Sequence, residues 1–152
     1  MVLNKKITRY LDTNILVYSI DLNQENREKH RAALEIIRPS EKEILCLSSQ
    51  VIAEFYAVVT NGKSVANPLT TQETMMRIER FLQMPNMELL SMSDEIFKQW
   101  LELLKINPVN GAKVFDLMHI AIMLCNGVTS IYTFNENDFN WYTEIEVIVP
   151  NY

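Results

Sequence analysis

Four acidic residues in the amino-acid sequence stand where apolar segments end, begin or bend, and together they span most of the chain. They are Asp12, Glu54, Asp116 and Asp138, in the motifs YLDTNILVYS, SSQVIAEF, FDLMHIAIM and YTFNENDF. Carboxylates that converge in a fold bind hard divalent cations. A pair of metal ions held by carboxylates is a common means of hydrolysing phosphodiesters. The four motifs therefore indicate metal-dependent phosphate chemistry.

Each of these motifs also has a purely structural interpretation. Asp12, Asp116 and the Asn135–Asp138 pair are all suited to capping helices, which is a frequent use of Asp and Asn. Glu54 falls at the margin of an apolar helical stripe, as a solvated boundary residue would. Taken one at a time, the motifs leave both interpretations open.

Two other polar residues flank Asp116 at helical spacing. His119 follows it by three residues and shares its face; a structural histidine is favoured, with positioning of a carboxylate or a water as the alternative, and metal binding is not expected. Lys113 precedes it by three residues and is expected to be simply exposed, with contact to a phosphate as the alternative. No nucleophile–histidine pairing or nucleotide-binding loop is visible.

The elements that must position these residues follow from apolar periodicity and capping signals. Strands are predicted at about 7–11, 43–47, 87–90, 130–133 and 146–149. Helices are predicted from about 14, and at about 26–38, 49–61, 70–83, 93–107 and 115–125. This alternation predicts an α/β fold with a mainly parallel sheet covered on both faces. Ligands bind beyond the carboxyl ends of such strands, where the first and last motifs fall.

Length and composition favour an ordinary globular protein. The 152 residues are expected to form a single domain, 1–152, with hydrophobic residues at 48% and charged residues at 22%. The net charge of −5 argues against a broad basic surface for nucleic acid, but bound divalent metals reverse the local charge of an acidic pocket. A nuclease therefore stays compatible with the charge.

The cysteines and the apolar segments bear on the compartment. Cys46 and Cys125 lie in apolar surroundings and are expected to be buried free thiols, and they do not fall at zinc-binding spacing with the two histidines. No segment has the length of a signal peptide core or a membrane span. The chain is therefore expected to be cytoplasmic and reduced.

In their order along the chain, the motifs resemble those of the PIN-domain nucleases and, within that family, the VapC-like toxin ribonucleases. The resemblance extends over nearly the whole chain. It rests on Leu11-Asp12-Thr13-Asn14, the serine-opened helix from Ser49 to Glu54, the helix opened by Asp116, and Thr133-Phe-Asn135-Glu-Asn-Asp138-Phe139. The first and last motifs are fairly specific, and the middle two are weak alone. The sequence departs from the pattern at Asn135, where many members have an aspartate.

The resemblance implies a three-layer α/β/α PIN-like fold and a Mg²⁺- or Mn²⁺-dependent endoribonuclease, with a small antitoxin protein as partner. It implies catalytic and metal-binding roles for Asp12, Glu54, Asp116 and Asp138, with Asn135 beside the metal. The residues expected to support these ligands from behind are Thr13, Asn14, Ser49 and Thr133. A homodimer is expected, for which the Met-bearing region 75–100 is a candidate face, although it suits ordinary core equally well.

Three other functions compete with the toxin interpretation. A phosphatase of the haloacid-dehalogenase type needs a second aspartate two residues after the first, where this chain has Asn14. A non-catalytic binding module is disfavoured because Asp12, Glu54 and Asp116 are all retained. An RNA-processing nuclease that is not a toxin shares the same chemistry, and the sequence does not separate the two.

Overall fold

The computed structural model describes residues 5–152, and a five-stranded parallel sheet lies at its centre. The strands lie side by side in the order β3-β2-β1-β4-β5, and each neighbouring pair in the described residues is parallel. They are β1 (Ile7–Leu11), β2 (Glu43–Leu47), β3 (Met87–Leu89), β4 (Ser130–Tyr132) and β5 (Glu146–Ile148). The predicted α/β class with a parallel sheet is confirmed.

Helices fill the connections between the strands. They are α1 (Thr13–Ile20), α2 (Arg27–Ile37), α3 (Ser49–Val59), α4 (Thr71–Gln83), α5 (Asp94–Ile106) and α6 (Val114–Cys125). The chain runs outward from β1 through β2 to β3 and then returns to β4 on the other side of β1. Because such crossovers are right-handed, the reversal places α1–α4 on one face of the sheet and α5–α6 on the other. This is the predicted three-layer arrangement.

The core is continuous across both faces of the sheet. The last three residues of β2, Leu45 to Leu47, are all buried, as are Tyr10 and Leu11 at the end of β1. Unbroken buried runs are typical of parallel strands covered on both faces. Phe55 of α3 is fully buried, and α6 buries half of its residues, all of them between Leu117 and Met123. The carboxyl end of β1 is therefore held in the most enclosed part of the molecule.

Most element boundaries agree with the predicted ones to within two residues. The predicted capping box at Thr70 and Glu73 is present, with both of its hydrogen bonds. One prediction about burial is wrong: Cys46 is buried, but Cys125 is exposed. It is the last residue of α6, before a turn at Gly127 with a φ of 69°. Apolar neighbours in sequence did not reveal that this helix end faces outward.

No helix in residues 5–152 is both long and apolar enough to cross a membrane.

Candidate active site

Asp12 lies at the carboxyl end of the central strand and is 8% exposed. It is the N-cap of α1, and its Oδ1 accepts a hydrogen bond of 2.7 Å from the backbone N of Thr13. Its Oδ2 accepts from the Thr133 hydroxyl at 2.7 Å and from the Asn14 amide at 3.3 Å. Burial raises the pKa of Asp12, and the charge of His119 and the Thr133 hydrogen bond oppose that rise. Asp12 therefore caps its helix and is also held by two side chains from behind.

Glu54 is fixed by hydrogen bonds from three side chains on three different elements. The Thr13 hydroxyl of α1 donates to Oε2 at 2.7 Å, and the Gln50 amide one turn earlier in α3 donates to Oε1 at 2.9 Å. Nε2 of His119 on α6 lies 3.0 Å from Oε2. Burial raises the pKa of Glu54, but the hydrogen bonds and charge of His119, aided by Thr13 and Gln50, outweigh it and leave the pKa below its usual value. Glu54 is thus an ionised carboxylate in a fixed orientation.

His119 connects Glu54 to the start of α3 through a buried chain of hydrogen bonds. Its Nδ1 lies 2.8 Å from the Tyr10 hydroxyl, which lies 2.7 Å from the hydroxyl of Ser48. Because a carboxylate only accepts, Nε2 must carry the proton towards Glu54. With a neutral ring, Nδ1 then accepts from Tyr10, and Tyr10 accepts from Ser48, which also accepts from the Val51 backbone N. Both ring nitrogens of His119 thus contact protein side chains, and the ring positions Glu54 through Nε2.

The supporting role that was expected of Ser49 falls to the preceding residue, Ser48. Ser48 is the buried N-cap of α3 and the end of the His119 chain, whereas Ser49 is exposed and does not line the cavity described below. The expectation that Ser49 supports a ligand is therefore corrected in favour of Ser48. Two adjacent serines before a helix are equivalent in sequence, and only the helix boundary separates them.

Asp116 and Asp138 differ from the first two carboxylates because neither caps a helix. The N-cap of α6 is Lys113, which places Asp116 in the first turn, and the Asn135 side chain makes no cap bond to the short 3₁₀ turn Glu136–Asp138. The capping interpretation of these residues is therefore wrong. Burial, followed by the negative charges of Asp138 and Asp12, raises the pKa of Asp116 to about 7. The aspartates are close enough to disfavour simultaneous ionisation.

These carboxylates face a common cavity of about 1010 Å³. Of the residues predicted from the sequence, those lining it are Asp12, Thr13, Asn14, Glu54, Asp116, Asn135 and Asp138. Thr133 is fully buried behind Asp12, and Lys113 does not line the cavity within the described residues. The structure therefore brings the four predicted acidic residues to one place, from α1, α3, α6 and the turn after β4.

The chemistry of the side chains fits a hard divalent cation. In residues 5–152, no set of three or more His, Cys, Asp or Glu side chains is gathered closely enough to ligate one ion as it stands. The donors facing the cavity are nevertheless oxygens, which Mg²⁺ and Mn²⁺ prefer. Burial and, after it, repulsion from the neighbouring aspartates raise the pKa of Asp116, and a cation between the aspartates would remove that repulsion. Asp12, Asp116 and Asp138, which line the same cavity, are the residues that would hold such an ion.

Several contributors to the site were not predicted from the sequence. Gln50 and Glu54 are spaced four residues apart in one helix, a pairing that the sequence does contain. Gln50 also donates to the backbone O of Phe115 at 3.1 Å. Tyr10 gave no such signal, because its contact with His119 spans 109 residues and depends on how β1 packs against α6.

The sequence matches the PIN domain family over residues 9–142, so the chain belongs to the PIN-domain family. The resemblance seen in the motifs is thereby confirmed. No curated protein matches the sequence significantly.

Solved structures share this fold. A chain of the VapBC2 complex of Rickettsia felis, bound to a DNA fragment from its promoter, superposes with a TM-score of 0.65 at 20% identity, covering 95% of this chain and 100% of that one. VapBC-1 of nontypeable Haemophilus influenzae gives 0.62 at 19% identity, covering 94% and 98%. VapC20 of Mycobacterium tuberculosis, described as a toxin that cleaves the sarcin–ricin loop, gives 0.62 at 13% identity, covering 88% and 94%.

Proposed function

We propose that this protein is a Mg²⁺- or Mn²⁺-dependent endoribonuclease and the toxin of a toxin–antitoxin pair. The observation that supports the proposal most directly is the group of aspartates that face one cavity without a cationic partner. Among the described residues, Asp12, Asp116 and Asp138 take part in no salt bridge, and burial, followed by the negative charges of Asp138 and Asp12, raises the pKa of Asp116 to about 7. Such repulsion lowers stability unless a cation relieves it.

The residues would divide the work of RNA hydrolysis between them. Asp12, Asp116 and Asp138 would hold the metal, and Asn135 would offer a neutral oxygen at its edge. Glu54, which is held ionised by His119, would bind a water or a metal-bound ligand through the oxygen edge that faces the cavity. Thr13, Asn14 and Thr133 would keep these carboxylates in place. When bound, the metal supplies the charge that activates water and stabilises the leaving 3′ oxygen.

The phosphatase alternative fits the geometry of the site less well. In a haloacid-dehalogenase-type phosphatase, the residue at position 14 would have to be a proton donor. Here the Asn14 amide donates to Asp12 and to the Thr133 hydroxyl, and its oxygen accepts from the backbone N of Phe134. Asn14 is fully used in positioning. This arrangement favours metal-dependent hydrolysis over phosphoryl transfer to Asp12.

The partner in the proposal is a small antitoxin protein. Support comes from the similar structures, which include a toxin–antitoxin complex from Klebsiella pneumoniae. A homodimer is also part of the proposal. Its support is the exposure of apolar side chains in the first part of the region 75–100, where Met75, Met76 and Met92 are each about half exposed.

The test is cleavage of RNA by purified wild type and by Asp12→Asn, with Mg²⁺, with Mn²⁺ and with EDTA. We expect cleavage by wild type with metal, and none with EDTA or in the variant. Calorimetry should show metal uptake by wild type only. Failure of wild type to cleave any RNA, together with no metal uptake, would replace the proposal with a non-catalytic binding protein. An RNA processing role would instead follow if cleavage occurred without toxicity on expression.

A further inference from the structure

Phe115 is an aromatic side chain left exposed at the edge of the acidic cavity. It directly precedes Asp116 in the first turn of α6, and it is 54% exposed, although α6 buries most of its other apolar residues. It lines the same cavity as the carboxylates. No ring stacks on Phe115 among the residues that the structure describes. Folding thus leaves this apolar surface in contact with water beside the site.

The backbone of Phe115 is held by the same side chain that orients Glu54. The Gln50 amide donates to the Phe115 carbonyl at 3.1 Å and to Glu54 Oε1 at 2.9 Å. The backbone that carries the ring and the Glu54 carboxylate are therefore placed relative to each other by one residue.

The charges around the cavity explain why a neutral contact is needed there. Its acidic lining residues are Asp12, Asp21, Glu54, Asp116 and Asp138, and the only cationic side chain among the described lining residues is Arg77. Most nucleic-acid binding derives from neutralised phosphates. An acidic cavity offers little of that attraction before metal is bound. Stacking on a ring does not depend on charge, and every base has a face that can stack.

We propose that Phe115 is a stacking platform for one RNA base next to the scissile phosphate. This inference rests on the proposed ribonuclease function and deepens it, because it gives the substrate a single-stranded, unpaired base at that point. A base in a duplex has both faces covered by its neighbours and cannot stack on a side chain in this way. Phe115 is thus a substrate-binding residue and takes no part in bond breaking.

The chain provides a matched control in Phe97 of α5. Phe97 is 58% exposed, close to the value for Phe115, but it does not line the cavity and instead packs near Trp100 at a ring distance of 6.0 Å. Phe115→Ala and Phe97→Ala remove the same group from similarly exposed positions. Any general effect of losing an exposed phenylalanine should appear in both variants.

The experiment measures cleavage of a single-stranded RNA of mixed sequence and about twelve nucleotides, within the ~4–16 that one single-strand-binding domain covers. Phe115→Ala should lower kcat/KM by roughly 5- to 150-fold, the range of one lost stacking contact, mainly through KM. Phe97→Ala should match wild type. Phe115→Trp should restore cleavage, and Phe115→Leu, which is apolar without a ring, should not.

A series of substrates that each lack one base makes the test specific. At one position next to the cleaved bond, removing the base should slow wild type but leave Phe115→Ala unchanged, because the contact is already gone. Removal of more distant bases should affect both proteins equally. The loss in Phe115→Ala should also be similar at about 50 and about 200 mM salt, unlike the loss of a phosphate contact.

Three results would overturn the inference. Equal behaviour of Phe115→Ala and Phe97→Ala would remove the special role of Phe115, while wild-type cleavage kept the proposed function intact. Full rescue by Phe115→Leu would show simple apolar packing. A changed oligomeric state in Phe115→Ala, seen by light scattering, with unchanged kcat/KM would assign the ring to a contact between copies. If wild type with metal cleaved no RNA at all, both proposals would fail together.

Discussion

Near the first residues of β2, β4 and β5, one arginine is paired with two glutamates, whereas at the carboxyl end of the sheet like charges face one another. Arg9 lies between Glu43, at 2.9 Å, and Glu146, at 3.9 Å, and it also donates to the Ser130 hydroxyl at 3.2 Å. Tyr132 donates to Glu43 at 2.9 Å. A few residues along β1 from Arg9, Asp12 shares its cavity with Asp116 and Asp138 and with no ion-pair partner in the described residues.

The difference separates residues that stabilise the fold from residues that cost it stability. A half-buried ion pair with extra hydrogen bonds lowers the free energy of the folded state modestly. Converging carboxylates raise it, because their repulsion is absent in the unfolded chain. The protein tolerates that cost at one end of the sheet only. This asymmetry is what the proposed metal-binding function predicts, and each end can be altered separately.

The largest effect should come from removing the carboxylate of Asp116. This change tests the carboxyl end of the sheet, where the converging aspartates lower stability. We expect Asp116→Asn to lower metal-dependent cleavage by more than roughly 100-fold. Removing a residue that only supports a metal ligand typically lowers activity by roughly 10- to 100-fold. The same variant should be more stable than wild type at pH 8 without metal, because one of the repelling charges is gone. Cleavage assays and thermal unfolding would measure the two changes. Glu79→Gln on the exposed face of α4 controls for the lost charge.

The stability gain of Asp116→Asn should depend on pH, and its direction follows from the pKa of Asp116. The pKa of Asp116 is raised in the folded state to about 7, from an unfolded value near 3.8. The folded form therefore holds the proton more tightly, and wild type loses stability as pH rises between these values. The advantage of Asp116→Asn should be absent at pH 4, grow up to about pH 7 and then level off. An advantage that is constant with pH would contradict the electrostatic cause.

The next effect should come from the histidine that holds Glu54 in place. We expect His119→Gln to lower kcat for RNA cleavage by about 10- to 100-fold, the usual cost of losing an orienting partner. Tyr10→Phe removes only the hydroxyl that contacts Nδ1, so its effect should be smaller and in the same direction. Both kcat and the unfolding temperature should be measured. A kcat that follows stability alone, in both variants, would make His119 merely structural.

A smaller effect, on stability alone, should follow from breaking the paired end. Arg9→Met leaves Glu43 without its cation, and we expect a loss of about 1–3 kcal/mol in unfolding free energy, with cleavage per folded molecule unchanged. The control is Arg38→Met, because the Arg38–Glu35 pair is exposed, with side-chain exposures of 68% and 65% against 15% for Arg9. Exposed pairs contribute about 0–1 kcal/mol. Denaturant unfolding would compare the two, and equal losses would remove the distinction between buried and surface charge.

The smallest effect concerns the reactivity of the two thiols. Cys46 lies within β2, so its reactivity reports on the sheet, and Cys125 lies at the end of α6. Burial raises the pKa of Cys46 to about 12, so a thiol reagent at pH 8 should modify only the exposed Cys125 in the native protein. Cleavage should not change after that modification. Two thiols should react after unfolding, and Cys125→Ser should show none in the native state. Faster reaction of Cys46 in Arg9→Met would show that the ion pairs of Arg9 limit local opening of the sheet.

The sequence contained the fold and the four acidic positions because both depend on local patterns. Strand-ending apolar runs gave β1 and β2 at their observed limits, and the Asp12 motif identified the edge of the sheet at which the acidic cavity lies. Capping is also a local pattern, and for Asp116 and Asp138 it predicted the wrong structural alternative. The exposure of Cys125 and the choice between Ser48 and Ser49 turned on single-residue limits of helices, which periodicity does not define so finely.

The parts that could not be predicted depend on contacts between distant segments. The raised pKa of Asp116 comes from burial and from two carboxylates that reach it only in the folded state. The hydrogen-bonded chain of Ser48, Tyr10 and His119 crosses from β2 through β1 to α6. No spacing rule relates such residues. Their cooperation follows from the strand order, which places β1 at the centre.

The position of β1 also fixes when the site can form during synthesis. Asp12 is made early, but the Thr133 hydroxyl that orients it follows 121 residues later, on the far side of β4. Before that point β1 can pair with β2 alone, and contacts between such distant segments form slowly. A growing chain that has not yet reached residue 133 therefore has no assembled site. Under the proposed ribonuclease function, a nascent copy of this protein should not cleave RNA on its own ribosome until β4 has emerged and docked beside β1.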